Sequence, residues 1–157
     1  MTEAFYKSPV GYLNIVANER DIINIEFSDV YYKMRMIPAQ IQRCIKQLDE
    51  YFRGERKTFT LSINPAGTEF QAKVWNLLLQ IPYGTTISYL DLARKLGDEN
   101  ALRAVASANG KNPIPIIIPC HRVIGHDGSL TGYAGGLLKK QWLLEHEGAI
   151  RQKSLFW

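Results

Sequence analysis

The sequence predicts an α+β protein in which a small antiparallel sheet with one helix is followed by a mostly helical part. Two observations support this fold class. In residues 1–65, short runs of alternating apolar and polar residues are separated by turn-forming residues, and from residue 66 onward apolar residues recur at helical spacing. The chain has 157 residues, of which 46% are hydrophobic, enough for one or two small domains. We expect two domains, residues 1–65 and 66–157.

A three-stranded meander is expected at the start of the chain. Strands are predicted at residues 3–7, 12–17 and 21–27, because apolar and polar residues alternate there. The segments between them contain Pro9, Gly11 and Asn18, which are typical turn residues. Connections this short pair neighbouring strands antiparallel.

One helix and one more strand complete the first part. Apolar residues recur every three or four positions over Ala39–Phe52, directly after Pro38 and before Gly54, which is typical of an amphipathic helix. Cys44 lies on this apolar stripe, and we interpret it as a core residue. The alternation at residues 58–63 predicts a fourth strand.

Three helices are predicted after a linker at residues 64–67. Thr68 and Gln71 match a capping box at the start of the first helix. Its expected buried residues are Phe70, Val74, Leu77 and Leu78. Ser88 is expected to cap a second helix that ends at Gly97, and a third extends from about residue 99 to residue 109. The second and third helices together predict a helix-turn-helix.

The third helix combines small side chains with one long basic residue, Arg103. Small residues let a helix lie close to a nucleic-acid groove, where an arginine can reach into the base stack. Tight packing of the helix on a protein neighbour explains the same composition equally well. The small residues are Ala101, Ala104, Ala106, Ser107 and Ala108.

The remaining chain is predicted to contain an apolar extended stretch at residues 114–119, a glycine-rich loop at 125–136 and a last helix over about 137–147. The tail at residues 150–157 includes Leu155, Phe156 and Trp157. Both packing of this tail on the body and disorder agree with its composition.

Composition and charge exclude several classes of protein. The formal net charge is +4, and residues 66–157 hold ten Lys and Arg against seven Asp and Glu. This excess permits a polyanionic partner without requiring one. The first residues carry charge and a proline, unlike a signal peptide, and no stretch has the roughly 20 apolar residues of a membrane span. We therefore expect no membrane association and a cytoplasmic location, where cysteines stay reduced.

Cys120 is the candidate nucleophile. It follows the apolar stretch and is followed at once by His121 and Arg122. A cysteine becomes nucleophilic when a base or positive charge favours its thiolate, and a carboxylate can orient the histidine. Glu145 and Glu147 are both candidates for that carboxylate. Taken alone, however, a cysteine beside a histidine is more often a core residue.

Other kinds of site fit the sequence poorly. Two cysteines and three histidines show neither CxxC nor HxxxH spacing, so no zinc or other metal site is expected. The chain has no Walker A motif and no GxGxxG motif. The glycines of residues 125–136 are typical of turns rather than of a phosphate-binding loop.

Four segments carry further information: the Asn-Pro pair at residues 112–113, IPCHRV at 118–123, GYAGG at 132–136 and WLLEHEG at 142–148. In order and spacing they resemble the O6-alkylguanine-DNA alkyltransferases, also called methylated-DNA–protein-cysteine methyltransferases. The resemblance is strong from about residue 68 to residue 148 and looser before it. It implies a small ribonuclease H-like α/β domain followed by a winged-helix-like domain that contains the helix-turn-helix.

The resemblance also implies a function that needs no cofactor. Such a protein transfers an alkyl group from O6-alkylguanine, and from O4-alkylthymine, to its own Cys120, stoichiometrically and irreversibly. It acts as a monomer on double-stranded DNA, through the minor groove, after the damaged nucleotide is flipped out of the helix. Two alternatives are a non-catalytic alkyltransferase-like adaptor, whose known examples lack the acceptor cysteine, and a cysteine hydrolase.

Roles in the reaction follow from the resemblance for five residues. Cys120 is the acceptor, His121 the base that deprotonates it through a water molecule, and Glu147 the carboxylate behind the histidine. Asn112 braces the turn that carries the cysteine. Tyr89 protonates the departing guanine.

Roles in DNA and base binding follow in the same way. Arg103 fills the gap that the flipped nucleotide leaves. Further DNA contacts are expected from Ala101, Ala104, Ser107 and Arg122, and the base pocket is expected to include Val123, Tyr133, Ala134 and Lys140. Some members of the family have a serine in place of Ala134. If that residue contributes its backbone N–H, the substrate range is kept, whereas a role of the hydroxyl would change it.

Overall fold

The computed structural model describes residues 1–151. Residues 152–157, the larger part of the tail, lie outside the described residues. The elements in chain order are β1 (Thr2–Ser8), β2 (Gly11–Ala17), β3 (Ile22–Ser28), α1 (Ala39–Phe52), α2 (Glu69–Leu78), β4 (Ile87–Ser88), α3 (Tyr89–Leu96), α4 (Leu102–Gly110), β5 (Val123–Ile124) and α5 (Leu137–His146). The predicted α+β class is confirmed. Within the described residues, no helix is long and apolar enough to cross a bilayer.

The first three strands form an antiparallel sheet in the order β1-β2-β3. Ala4, Ile15 and Ile25 lie side by side across it and are at most 3% exposed, so they define the buried face. Helix α1 packs against the sheet, and its bounds match the prediction. Cys44 is fully buried on this helix, which confirms its place in the core.

The strand predicted at residues 58–63 is wrong. Only Ile63 forms a bridge, to Ile22 at the edge of β3. Thr60 is bonded to a side chain instead: its N–H donates to the Gln47 amide oxygen at 3.0 Å, and its hydroxyl accepts from the Gln47 amide nitrogen at 2.8 Å. Because the Gln47 side chain of α1 accepts the hydrogen bond of a backbone N–H here, this segment shows alternating polarity without forming a strand.

The apolar stretch at residues 114–119 is buried, but it is not extended as predicted. Its backbone turns back, so that the Ile118 N–H donates to the Ile114 carbonyl at 2.9 Å. Ile116 has a φ of 74°, a left-handed conformation that β-branched residues rarely adopt. Apolar residues indicate burial, whereas the prolines of this segment oppose strand pairing and leave room for a turn.

The helical part agrees with the prediction in its caps and differs in detail. The Thr68 capping box begins α2, Ser88 caps α3, and Gly97 ends α3 with a φ of 98°. The third predicted helix starts with a 3-10 turn at Glu99–Ala101 before α4. On α2 the buried residues are Val74, Trp75 and Leu78, while Phe70 and Leu77 are only half-buried.

Two contacts connect the helix-turn-helix to its neighbours. The Trp75 indole N–H donates to the Ala108 carbonyl at 2.9 Å and joins α2 to α4. The short strands β4 and β5 pair in parallel, with Ile87 opposite Val123. This pairing, which no pattern in the sequence predicts, places the start of α3 beside the segment that follows Cys120.

We expect Leu48→Ala to lower the free energy of unfolding by about 2–5 kcal/mol, because Leu48 is fully buried between α1 and the sheet. Urea denaturation measures this loss. Lys46→Ala, on the exposed side of the same helix, is the control and is expected to change stability by less than about 0.5 kcal/mol. Equal effects of the two substitutions would contradict the packing of α1.

Candidate active site

Cys120 begins a short 3-10 turn, Cys120–Arg122, between the buried apolar turn and β5. Its side chain is almost buried, with 6% of the residue exposed. The Cys120 N–H donates to the Ile118 carbonyl at 2.8 Å. The position of the cysteine is thus fixed by a hydrogen bond of its own backbone.

Asn112 braces this turn from below. Its amide nitrogen donates to the Ile118 carbonyl at 2.7 Å, and its amide oxygen accepts from the Ile114 N–H at 3.0 Å. Asn109, at the end of α4, donates to the Cys120 carbonyl at 3.4 Å. Two asparagines, one at the end of α4 and one just after it, therefore support the cysteine-bearing backbone.

Glu147, just after α5, is the centre of a buried hydrogen-bond network. Its Oε2 accepts from the Tyr51 hydroxyl at 2.6 Å and contacts His121 Nε2 at 2.8 Å. Arg122 donates from Nε to Oε1 at 2.8 Å and from Nη2 to Oε2 at 3.0 Å. Burial opposes the charged form, but the hydrogen bonds from His121 and Arg122, together with the positive charge of Arg122, outweigh it and lower the pKa of Glu147 to about 2. Glu147 is therefore ionised at neutral pH.

His121 is completely buried, and its tautomer follows from the network. Because the ionised Glu147 can only accept, Nε2 must carry the proton, which leaves Nδ1 with a free lone pair. Nδ1 is buried and has no protein hydrogen-bond partner. Burial lowers the pKa of His121, and Glu147 offsets this only in part, so the imidazole is neutral and can accept a proton.

The Cys120 thiol is a weak acid in this environment. Burial raises its pKa to about 11, although the Asn112 hydrogen bond and the charge of Lys140 act in the opposite direction. At neutral pH the resting sulfur is therefore a thiol. A reaction at this sulfur needs a base that takes the proton as the new bond forms.

Lys140 is a fully buried lysine of α5 that joins β5 to the glycine-rich loop. Its ammonium donates to the Val123 carbonyl at 2.6 Å and to the Thr131 carbonyl at 2.7 Å. Burial lowers the pKa of Lys140 to about 8, while the nearby Cys120 opposes that shift. A cation is thus held close to the sulfur.

The N-terminal sheet contacts the glycine-rich loop directly. The Phe27 ring of β3 packs edge-on against Tyr133, with centroids 5.7 Å apart. A Cβ added to Gly135 would lie 2.8 Å from the Phe27 ring, so the close approach requires glycine there. The Tyr133 hydroxyl is buried without a hydrogen-bond partner, and Ala134 beside it is exposed.

A cavity of about 580 Å³ opens between the helix-turn-helix and this loop. Its lining includes Tyr89, Leu102, Arg103, Ala106, Asn109 and Thr131. The Tyr89 hydroxyl donates to the Thr131 carbonyl at 3.0 Å. Burial raises the pKa of Tyr89, and the hydrogen bond to Thr131 opposes this shift only in part, so the phenol keeps its proton at neutral pH.

The exposed face of α4 lies beside this cavity. Arg103, Ala104 and Ser107 are exposed on it, and Ala101 in the preceding turn is half-buried. One long cation thus stands among small side chains on an open helix surface.

The structure therefore brings the predicted catalytic residues together around Cys120 and differs from the prediction at Arg122. Arg122 is only 6% exposed and is held by Glu147 and, through Nη1 at 2.7 Å, by the Ile81 carbonyl. Its guanidinium cannot reach a phosphate, and we correct its expected DNA contact to a role in fixing Glu147. Of the two candidate carboxylates, Glu145 lies outside the network and accepts from Gln141 at 2.9 Å.

Two residues of the site were missed in the sequence. Tyr51 occupies a core position of α1, and nothing in its neighbourhood indicates a partner 96 residues away. Asn109 stands next to the glycine that ends α4, where a polar residue is common. Across residues 1–151, no three His, Cys, Asp or Glu side chains converge as possible metal ligands.

Family models match both parts of this chain. Residues 1–65 match the ribonuclease-like domain of 6-O-methylguanine DNA methyltransferase, and residues 69–149 match the DNA binding domain of the same family. The chain belongs to the 6-O-methylguanine DNA methyltransferase family.

Relatives in this family cover nearly the whole chain. The methylated-DNA–protein-cysteine methyltransferase of Methanosarcina acetivorans is 42% identical over 155 residues, which are 95% of this chain and 99% of that protein. The Mycobacterium leprae protein of the same name is 44% identical over 145 residues, 89% of this chain and 88% of its own. The solved structure of Mycobacterium tuberculosis OGT in complex with DNA superimposes with a TM-score of 0.85 at 41% identity, covering 94% of this chain and 92% of that one.

Glu147→Gln is expected to destabilise the protein by about 3–5 kcal/mol at pH 7, because it leaves Arg122 buried without its counter-ion. The depressed pKa of Glu147 stabilises the fold above about pH 4.5, and this contribution is lost as the pH falls through about 2. The difference in free energy of unfolding between the wild type and the variant should therefore decrease by about 3 kcal/mol as the pH falls from about 4.5 to about 2. Urea denaturation at a series of pH values measures it.

Glu145→Gln is the matched control, since Glu145 is half-buried and its carboxylate accepts a hydrogen bond from Gln141 outside the Glu147 network. We expect a small change in stability for this variant. If the difference in free energy of unfolding between Glu147→Gln and the wild type did not vary with pH, this would contradict an ionised Glu147 in the network.

Proposed function

We propose that this chain repairs DNA by transferring an alkyl group from O6 of guanine, and from O4 of thymine, to its own Cys120. One observation carries the proposal: an ionised carboxylate holds His121 through Nε2, so that Nδ1 of the residue next to Cys120 is a free base. Membership of the methyltransferase family supports the same reaction. Cys120, which known alkyltransferase-like adaptors lack, favours transfer over simple binding.

The proposed step is an in-line displacement at the alkyl carbon. The thiol proton moves to His121 Nδ1, directly or through a water molecule, as sulfur attacks the carbon. The bond between the carbon and O6 breaks, and its electron pair stays on guanine. Tyr89, whose phenol keeps its proton, supplies a proton to the departing base. The product is a thioether that no hydrolytic step removes, so each molecule reacts once and needs no cofactor.

Lys140 and Asn112 assist this step without taking part in bond making. The Lys140 ammonium lowers the pKa of Cys120 and thereby stabilises the developing thiolate. Asn112 holds the turn that carries the sulfur in place. We propose that these two residues increase the rate by preorganising the site.

DNA binding is proposed to occur through the minor groove, with α4 as the recognition helix. The alkylated carbon lies inside the duplex, so the nucleotide must be flipped out before sulfur can reach it. Arg103 stands on the exposed face of α4 at the rim of the 580 Å³ cavity, among the small residues Ala101, Ala104 and Ser107. This position suits a side chain that enters the duplex in place of the flipped nucleotide.

The flipped base is proposed to lie against Tyr133 and the backbone of Val123 and Ala134. The Val123 carbonyl already accepts from Lys140, so Lys140 shapes this wall of the pocket. Ala134 is exposed, and we assign it a contribution through its backbone N–H.

We also propose a division into domains at 1–65 and 66–157, and action as a cytoplasmic monomer on double-stranded DNA. The two family models meet between residues 65 and 69, which supports the boundary. The net charge of +4 suits contacts to phosphates that do not depend on base sequence.

Incubation with duplex DNA that carries labelled O6-methylguanine should place about one label per protein molecule, since Cys120 is consumed by the reaction. Peptide mass spectrometry should locate the label on Cys120, and Cys120→Ser should remain unlabelled. Cys44→Ser is the control and should label fully, because Cys44 is a buried core residue. Repeated turnover would indicate a hydrolase, and tight binding of the lesion without label would indicate an adaptor.

Arg103→Ala should slow repair of O6-methylguanine in duplex DNA by roughly 10²-fold or more, because nothing then fills the space of the flipped nucleotide. Reaction with free O6-benzylguanine, which needs no flipping, should change by less than about threefold. Lys73→Ala removes an exposed positive charge of α2 and is the control for charge alone. An equal loss on both substrates would refute the flipping role of Arg103.

A further inference from the structure

Tyr51 connects the first part of the chain to the network around Glu147. The residue is fully buried in α1, and its hydroxyl donates to Glu147 Oε2 at 2.6 Å. Its backbone carbonyl also contacts His146 Nε2 at 2.7 Å. Side chain and backbone of one tyrosine therefore hold the end of α5, which carries the carboxylate.

The aromatic surroundings of Tyr51 fix the direction of its hydroxyl. Measured between ring centroids, the distance from the Tyr51 ring is 5.1 Å to Phe52 and to His146, 5.5 Å to Phe59 and 6.2 Å to Tyr83. Burial raises the pKa of Tyr51 well above its usual value, and the charge of Glu147 adds to this shift. The phenol is therefore a permanent hydrogen-bond donor to Glu147.

Three donors share the same carboxylate oxygen. Glu147 Oε2 is contacted by Tyr51 at 2.6 Å, His121 at 2.8 Å and Arg122 at 3.0 Å. Each donor neutralises part of the negative charge that the others experience. The shortest of the three contacts comes from Tyr51, so this phenol competes most directly with His121 for the oxygen.

We infer that Tyr51 is a positioning residue for alkyl transfer, which weakens the pull of Glu147 on His121 and so keeps Nδ1 free to accept the thiol proton at mildly acidic pH. The inference rests on the proposed roles of His121 and Cys120. Tyr51 acts through its hydrogen bond to Glu147. The first part of the chain thereby takes a direct part in setting the basicity of the site.

The other groups that face this network stay in place when the phenol is removed. His121 interacts electrostatically with Glu147 and Lys140 from the C-terminal helix region and with Arg122 from its own turn. Glu147 interacts with Arg122, with Tyr133 of the glycine-rich loop and with Tyr83, whose ring centroid lies 5.7 Å from the Arg122 guanidinium carbon. Tyr51→Phe removes one oxygen from this set and keeps the aromatic packing.

The test is the pH dependence of single-turnover reaction with free O6-benzylguanine. In the wild type the rate falls at acidic pH, where His121 becomes protonated. In Tyr51→Phe the Glu147 carboxylate attracts the His121 imidazolium more strongly. The acid limb of the pH–rate profile, where the rate falls as His121 is protonated, should therefore move up by about one pH unit. The rate below the limb then falls roughly tenfold, while the rate above it changes less than about threefold. Tyr6→Phe, which removes another phenol–carboxylate hydrogen bond at α1 (to Asp49, 3.2 Å), is the control and should leave the profile unchanged.

A parallel loss of rate at every pH, with the acid limb unmoved, would overturn the inference and leave Tyr51 with a purely structural role. Thermal unfolding checks that both variants are folded. Carbamidomethylation of Cys120 by iodoacetamide, followed by mass spectrometry, provides a second profile that needs no guanine. If O6-benzylguanine fails to react with the wild type, the proposed function fails. The iodoacetamide profiles still decide the inference: a shifted limb in Tyr51→Phe supports it, and identical limbs refute it.

Discussion

A single buried carboxylate, Glu147, holds together the parts of the molecule that surround Cys120. It accepts hydrogen bonds from α1, through Tyr51, and from the turn that follows the cysteine, through His121 and Arg122. An isolated charge in this interior would cost several kcal/mol, and removal of one partner from such a pair leaves the other uncompensated. The network therefore needs α1, the cysteine turn and the end of α5 to be assembled together.

The network also determines what kind of nucleophile Cys120 is. Burial makes the thiol a weak acid, and the adjacent His121 is neutral, so the resting site carries no thiolate. A thiol is less readily oxidised or alkylated than a thiolate, which protects a sulfur that can be used only once. In the proposed mechanism, proton transfer to Nδ1 accompanies attack on the alkyl carbon, and Lys140 stabilises the negative charge that develops. Burial thus keeps the resting sulfur protonated, and the neutral His121 is the base that would remove the proton when a substrate is in position.

Local patterns in the sequence were sufficient for much of the fold. The spacing of apolar residues predicted the bounds of α1, and side-chain caps at Thr68 and Ser88 predicted the starts of α2 and α3. The predictions for residues 58–63 and 114–119 were wrong. The pattern of apolar residues indicates which side chains are buried, but it does not indicate whether the backbone N–H and C=O groups bond to a strand, to a side chain or within a turn. The cysteine–histidine pair was visible as adjacent residues, whereas Tyr51, Asn109 and the burial of Arg122 depend on contacts between distant segments. Such contacts leave no periodicity in the sequence.

The most direct test of the central role of Glu147 is ¹⁵N NMR of the His121 imidazole in the unreacted protein at pH 7. Selective ¹⁵N-histidine labelling, with His121 assigned by substitution, distinguishes the two neutral tautomers and the imidazolium. We expect a neutral ring that is protonated at Nε2 and unprotonated at Nδ1, because Glu147 is an ionised acceptor. A ring protonated at Nδ1, or an imidazolium at pH 7, would contradict the account, since His121 would then have no free site for the proton of Cys120.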